Sequence, residues 1–398
     1  MRTALVGQDI HWIGVNDRLT DLFEGQWPLP HGVSYNAYLV LGREPALIDT
    51  VKNAYGEDLV KALSSILPPE NVRYIVVNHV EPDHSGALPL VCRLAPRATV
   101  LATPAALPLL EGFYGIKERV RPVADGEVLD LGGKILSFHH VPFVHWPETM
   151  ATYEQTEKVL FSCDALGGFG ALNGVLFDDE APLDFYEDEA VRYFVNIVGM
   201  HSKPTLRALD KLGKLDIQVI APSHGLVWRK SPQRIVQLYM KLARMEGETG
   251  VTVAYGSMYD HTRQMADAAA RGVVEAGLPV KLVDVARVHV SFSLADVWKR
   301  RGLILVAPTY DGGLFYPMEH LLHVVTRKRL GGRVAGLIGS FGWHGRASAK
   351  MKETAEALGW KVAAELEYRG FPKLEDLEKA QELGRQVAQA VNGAGGGS

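Results

Sequence analysis

The sequence predicts an α/β chain of two domains, the first rich in short strands, the second alternating strands and helices around a parallel sheet. Three observations predict it. At 398 residues the chain is longer than one ordinary domain. Its first 245 or so residues hold many brief β-branched runs separated by turn residues. After the polar, glycine-punctuated stretch Glu246-Gly-Glu-Thr-Gly250 the rhythm changes to strand, helix, strand.

In order, the first part offers a buried strand at 72–77, helices at 55–67 and 87–94, strand-like runs at 141–147, 159–164 and 217–225, and a helix at 232–245. The second part reads as a strand at 251–255, a helix at 262–275 and strands at 280–285 and 303–307. It continues with a helix at 317–326, a strand at 334–338, a helix at 348–358, a strand at 362–366 and a helix at 374–391. The expected domains are 1–248 and 249–392, with the glycine-rich 393–398 as a frayed tail.

Composition excludes several classes. Hydrophobic residues make up 47% and charged ones 22%, ordinary for a soluble protein with ample core. A net charge of −4 without a basic run gives no footing for nucleic acid. No apolar stretch reaches the roughly eighteen residues of a membrane span, and the N-terminus lacks a signal-peptide layout, so the expected location is cytoplasmic. Two cysteines, Cys92 and Cys163, exclude a disulfide scaffold and leave no paired motif for an iron–sulfur or rubredoxin-type centre.

The most informative segment is Asn78-His-Val-Glu-Pro-Asp-His-Ser85. It leaves the 72–77 strand, and alternation aims residues 79, 81 and 83 the same way. His79, Glu81, Asp83 and His84 crowded together repel or desolvate one another unless a cation lies between them. His145, Asp164 and His224 each end another strand-like run and precede turn residues. Any one of these reads best as a cap or a loop hydrogen-bonder. Jointly they read as a metal site. Seven ligands suit two metals about three to four Å apart, with Asp164 as the bridging carboxylate.

In the second domain no GxGxxG opens the first strand–helix turn, so a dinucleotide fingerprint is missing. The turn is instead Ser257, Met258, Tyr259, Asp260, His261, Thr262, hydroxyls at both ends before a helix, which suits a phosphate. Two later strand-end loops face the same edge: Pro308, Thr309, Tyr310, Asp311, Gly312 and Gly313, and Ser340, Phe341, Gly342 and Trp343. Ligands of open parallel sheets bind at that edge.

The order HxExDH followed by His, Asp and His resembles the metallo-β-lactamase-like domain of the flavodiiron proteins. So do Tyr35-Asn-Ala-Tyr-Leu39, Leu47-Ile-Asp-Thr50, His145-Trp-Pro147 and Ala221-Pro-Ser-His-Gly225. The three later loops resemble those of flavodoxins, so the resemblance spans essentially the whole chain. It implies an N-terminal metallo-β-lactamase-like αββα sandwich and a C-terminal flavodoxin-like doubly wound sheet. Hydrolases of the superfamily usually carry histidine where this chain has Glu81; a carboxylate there hardens the site and favours iron over zinc.

The resemblance implies two irons, His79, Glu81 and His145 on one, Asp83, His84 and His224 on the other, with Asp164 between. In some relatives the histidine matching His84 turns away from the metal. It implies FMN in the three loops, with Trp343 against the ring. Tyr193, in the helical patch 191–196, reads either as core packing or as a hydrogen-bond donor to bound substrate. The resemblance implies reduction of O2 to water, of NO to N2O, or both, fed by a rubredoxin-like protein or a reduced cofactor. The implied assembly is a head-to-tail homodimer or a dimer of dimers. Relatives usually have a small uncharged pair where this chain has Asp260-His261, which bears on flavin affinity. The alternatives are a zinc-dependent hydrolase with an accessory flavodoxin domain, and a flavodoxin-like electron-transfer protein.

Overall fold

A computed structural model describes residues 3–393. Contacts divide the chain into two compact units between Ala243 and Arg244. The expected tail beyond Gly393 lies outside the described residues.

The first unit holds two main sheets. One joins β1 (Ala4–Gly7), β2 (Ile10–Trp12), β7 (Tyr38–Val40), β8 (Ala46–Ile48), β9 (Tyr74–Val76), β10 (Thr99–Ala102) and β11 (Val120–Pro122), in that order. Two short pairs, β3 (Val15–Asp17) with β6 (Val33–Tyr35) and β4 (Leu22–Phe23) with β5 (Trp27–Pro28), stand apart from it. The second sheet runs β12 (Val128–Asp130), β13 (Ile135–His140), β14 (Met150–Glu154), β15 (Val159–Cys163) and β16 (Val219–Pro222). Every residue of β14 and β15 is buried, which is why the stretch containing β15 reads as a nearly continuous apolar run. β8, β9 and β10 are mutually parallel, as are β15 and β16, so the carboxyl ends of each set share an edge. The site is built there.

Helices α1 (Gly56–Ser64), α2 (Pro82–Ser85), α3 (Leu88–Leu94), α4 (Leu107–Tyr114), α5 (Leu183–Tyr193), α6 (Ser202–Leu212) and α7 (Pro232–Ala243) complete this unit. α1, α3 and α7 match expectation within a few residues; α4, α5 and α6 were not anticipated.

The second unit is a parallel sheet ordered β18 (Val280–Asp284), β17 (Glu248–Tyr255), β19 (Arg300–Tyr310), β21 (Val334–Phe341) and β22 (Lys361–Arg369). A short β20 (Gly313–Leu314) pairs antiparallel with the end of β19. The order 2-1-3-4-5 is that of a flavodoxin-like doubly wound fold. Its helices are α8 (His261–Glu275), α9 (Val290–Lys299), α10 (Tyr316–Arg327), α11 (Ala347–Ala357) and α12 (Leu374–Gly393). The expected elements are all present, and α9 is additional. α8 and α12 share an apolar core with the sheet, including Val253, Val273, Ile304, Ile338 and Val387. They approach so closely that a Cβ on Gly272 would lie 1.8 Å from the Gln381 carbonyl, and one on Gly384 2.0 Å from that of Ala269.

Candidate metal centre and ligand cavity

β9 ends at Val76, and the chain then turns helical at Pro82, which suits the first turn of α2. That turn corrects the expected alternation. His79 and Glu81 face one point, while Asp83 and His84, inside α2, face another. His145 lies in the loop after β13, five residues beyond its end and not on a strand. Asp164 directly follows β15, and His224 follows β16 by two residues.

Two triads result. Glu81 Oε2 lies 3.2 Å from His79 Nε2 and 3.0 Å from His145 Nε2. Asp83 presents Oδ1 at 3.3 Å from His84 Nε2 and Oδ2 at 3.3 Å from His224 Nε2. Asp164 stands between them. Its Oδ2 is 3.4 Å from His79 Nε2 and 3.3 Å from His145 Nε2. Its Oδ1 is 2.9 Å from His84 Nε2 and 3.4 Å from His224 Nε2. All seven predicted ligands are thus brought together.

These are the spacings of donor atoms sharing a cation: bonds of about 2.1 Å put neighbouring ligand atoms about 3 Å apart. Hydrogen bonding does not account for the set. Both oxygens of Asp83 and of Asp164, and Nε2 of His84 and His224, are buried without a hydrogen-bond partner. His224 makes the case sharpest. Its Nδ1 must donate to the Ser34 carbonyl, 2.7 Å away, so a neutral ring aims the Nε2 lone pair at two carboxylates. Four imidazoles and three carboxylates, nearly dry, fit two hard, imidazole-tolerant divalent ions.

Without a cation the cluster neutralises itself with protons. Burial opposes charge on His79, Glu81, His84, His145, Asp164 and His224, but their partners prevail. Hydrogen bonds to Glu148 and Glu81 hold His79 well above the usual imidazole range. Asp164 and Glu81 push His145 up to about 9, and Asp164 with Asp83 pushes His224 up to about 10. Against the same burial, His84, His145 and His224 hold the Asp164 carboxyl far below the carboxylate range.

The motifs around the ligands act as supports. Asn36 Nδ2 donates to the Pro222 and Gly225 carbonyls at 2.9 and 3.0 Å, and the Tyr38 hydroxyl to Pro222 at 2.7 Å, fixing the His224 loop. Asp49, fully buried, accepts from Asn78 N and Nδ2 at 2.8 and 2.9 Å, and Thr50 Oγ1 donates to the His84 carbonyl at 2.7 Å. Burial pushes the Asp49 carboxyl up to about 6 although His84 and Asn78 oppose it. Glu148, which the sequence reading did not single out, accepts from His79 Nδ1 at 2.6 Å and from Val80 N at 3.1 Å. Its only signal was its position three residues after His145. His84 has no such support, for its Nδ1 is buried and unpartnered.

Tyr193 is fully buried, with an unpartnered hydroxyl and its ring centroid 5.4 Å from that of His224. Phe23 and Tyr35 pack on the same imidazole at 5.5 and 5.7 Å. A cavity of about 310 Å³ lined by Phe23, Glu24, Tyr35 and Lys52 reaches Glu81 and Asp83. Glu24, also unforeseen, stands in it; burial and then Glu81 raise its carboxyl above the usual range.

In the second unit a cavity of about 550 Å³, within the size range of cofactor sites, opens at the carboxyl edge. Ser257, Met258, Tyr259, His261, Thr262, Pro308, Thr309, Tyr310, Asp311, Gly312, Ser340, Phe341, Gly342 and Trp343 line it, together with the unforeseen His344 and Gly370. Asp260 and Gly313 do not. Ser257 Oγ is buried and unpartnered. Thr262 Oγ1 donates to the Gly256 carbonyl at 2.7 Å, so its proton is not available to a ligand. Thr309 Oγ1 accepts from Arg346 N and Ala347 N at 3.0 and 3.1 Å, capping α11. The first amides of α8 have no acceptor within the helix and remain for an anion. Trp343 is 85% exposed and Tyr259 80%, a flat aromatic rim suited to a planar ring.

Residues 33–225 match a family model described as ODP family beta lactamase, and residues 253–384 one described as flavodoxin. The chain is 34% identical to a nitric oxide reductase of Moorella thermoacetica, over 96% of this chain and 97% of that one. It is 33% identical to an anaerobic nitric oxide reductase flavorubredoxin of Salmonella arizonae, over 97% of this chain and 82% of that one. Among solved structures it superposes on rubredoxin:oxygen oxidoreductase from Desulfovibrio gigas with TM-score 0.95 and 28% identity, covering 99% and 100% of the two chains. A flavo di-iron protein from Thermotoga maritima, solved as a point mutant, gives 0.90 and 32%, covering 97% and 98%.

Proposed function

The chain belongs to the flavodiiron proteins, and from that premise we propose that it reduces O2 to water, NO to N2O, or both. The observation that carries the reading is Asp164, one oxygen turned to each of two histidine–carboxylate triads. We assign His79, Glu81 and His145 to one iron, Asp83, His84 and His224 to the other, and Asp164 to both. FMN is assigned to the cavity of the second unit. Bound in their respective sites, the irons would supply two one-electron centres for a diatomic substrate and the flavin a two-electron store.

The chain's own residues then have defined tasks. Glu148 and the Ser34 carbonyl hold His79 and His224 in the tautomer that turns Nε2 inward. The cavity beside Glu24 and Lys52 admits a small molecule, while Phe23, Tyr35 and Tyr193 keep the His224 side dry. The buried hydroxyl of Tyr193 is free to donate a hydrogen bond to substrate. Electrons come from an external donor, a rubredoxin-like protein or a reduced cofactor, and the working unit is a head-to-tail homodimer or a dimer of such dimers. Among the described residues no helix is long and apolar enough to cross a membrane.

The test is anaerobic purification, with iron and flavin quantified before O2 and NO consumption are assayed. Two irons and one FMN per chain, with turnover of either gas, are expected. Zinc as the sole tightly held metal after iron-replete growth, with hydrolysis in place of gas consumption, overturns the proposal.

A further inference from the structure

Asp260 occupies the N-cap of α8 in the left-handed region, φ 71°, ψ −6°. A residue in that conformation turns successive amides toward one point, which is how a backbone nest for an anion forms. A carboxylate at a helix N-cap has another habit as well. An N-cap carboxylate accepts hydrogen bonds from the second and third amides of the helix, here those of Thr262 and Arg263. Those are amides that a phosphate at the helix end would use. The carboxylate and a phosphate are therefore rivals for the same donors, and the carboxylate is tethered at high local concentration.

In this chain the rivalry is prevented. Asp260 makes no side-chain capping bond. Its Oδ1 and Oδ2 instead accept from Arg263 Nε and Nη2, both at 2.5 Å, a bidentate pairing one turn along the helix. Arg263 is fixed from its other side by Asp267, with Nη1 2.9 Å from Oδ2. A lone exposed ion pair is weak because water screens it. Bidentate geometry and a second carboxylate make this one directional. Asp260 accordingly does not line the cavity that Met258, Tyr259, His261 and Thr262 line.

We propose that Arg263 is a clip that holds the Asp260 carboxylate off the first amides of α8 and so keeps them available to the phosphate of the flavin. Arg263 is a positioning residue: it acts on the ligand through Asp260 and is not itself the phosphate's counter-charge. The inference rests on the assignment of FMN to this cavity.

The test is flavin binding by flavin-stripped full-length protein, read by fluorescence quenching, with FMN and riboflavin compared. Riboflavin shares the ring and lacks the phosphate, so it reports both folding and the integrity of the ring site. Arg263→Gln should weaken FMN at least tenfold and leave riboflavin binding unchanged. Asp260→Gly should bind FMN as tightly as the parent or tighter, because glycine keeps the left-handed turn without the competing carboxylate. In Asp260→Gly with Arg263→Gln, FMN affinity should return to within about twofold of Asp260→Gly alone. If Arg263→Gln costs the same factor whether or not Asp260 is present, the arginine acts on the phosphate directly and the clip is wrong. Unchanged FMN affinity in Arg263→Gln also overturns it. A parent protein that binds neither flavin overturns the cofactor assignment itself, and the riboflavin arm separates that failure from the failure of the clip.

Discussion

On the proposed assignment, removing Asp164 takes a ligand from both halves of the metal centre at once. Asp164→Ala should abolish gas consumption while flavin content stays at the parent value, since no ligand of the cavity lies in the first unit. Retention of both irons with parental rates would show that Asp164 is not the bridge. Glu148→Gln is a milder change: it keeps a hydrogen bond to His79 Nδ1 and removes the charge that makes the ring a stronger donor. Loss of such a support typically costs ten- to a hundredfold in metal affinity, measurable by competition with a chelator. His84 lacks the Nδ1 partner that orients His79 and His224, and this distinction could not be read from the residues alone. The clustering of the seven candidates could be read, because four fall in one short segment and the other three recur at strand-like ends, a joint pattern that no single one of them carries. Glu148 and Glu24 could not, because a glutamate becomes a support or a mouth residue only through contacts distant along the chain.

Proton release on metal loading is also set at this scale. In the metal-free site His145 is pushed up to about 9 and His224 up to about 10, so both hold a proton at pH 7. A metal ion must displace those protons to reach the nitrogens. Apparent metal affinity should therefore rise with pH from 7 toward 9, flatten above about 10, and fall steeply on acidification. Ferrous ion added anaerobically to stripped protein at pH 7 in weak buffer should release at least two protons per loaded centre. Release near zero would mean the imidazoles are already neutral.

Among the elements, the contact between α8 and α12 leaves least room. Gly272 and Gly384 face backbone carbonyls across it, where an added methyl would sit about 2 Å from oxygen. Gly384→Ala should lower the stability of the second unit by about 3 kcal/mol, at the upper end of overpacking costs because backbone cannot yield as a side chain does. Denaturant melting followed by flavin fluorescence checks it; a loss under about 0.5 kcal/mol, the scatter of neutral surface changes, would show that the helices slide apart freely. Both helices are legible from their periodicity, whereas the role of the glycines is not, since close approach is a property of two elements. α9 is illegible for another reason. Val290-Ser-Phe-Ser-Leu-Ala-Asp-Val-Trp-Lys299 mixes β-branched, aromatic and hydroxyl residues that individually disfavour helix, and tertiary burial of Val290, Leu294, Val297 and Trp298 decides the matter. The central parallel strands β17, β19 and β21 were legible because burial on both faces makes them apolar over most of their length.

At the scale of the whole molecule, the residues proposed for each site come from a single unit. The proposed metal ligands span residues 79–224 and the cavity residues 257–370. Electrons must therefore pass from one unit to another, and two routes are open: within one chain, or from the flavin of one subunit to the metals of its partner. A head-to-tail dimer serves the second route twice with one self-complementary interface. The exposed aromatic residues Tyr259, Tyr316 and Trp343 of the second unit give such an interface apolar surface to cover. Mixing two variants decides between the routes. Trp343→Ala with Thr262→Asp impairs the flavin site by removing the ring's platform and setting a carboxylate against its phosphate. His79→Ala with Asp164→Ala destroys the metal centre. Each is inactive alone under either route. When subunits exchange, a mixed dimer pairs one intact flavin site with one intact metal centre, but on different chains. Transfer across the boundary should restore about one competent centre per mixed dimer. If mass measurement verifies exchange and activity stays at zero, electrons remain within one chain and the head-to-tail arrangement loses its reason.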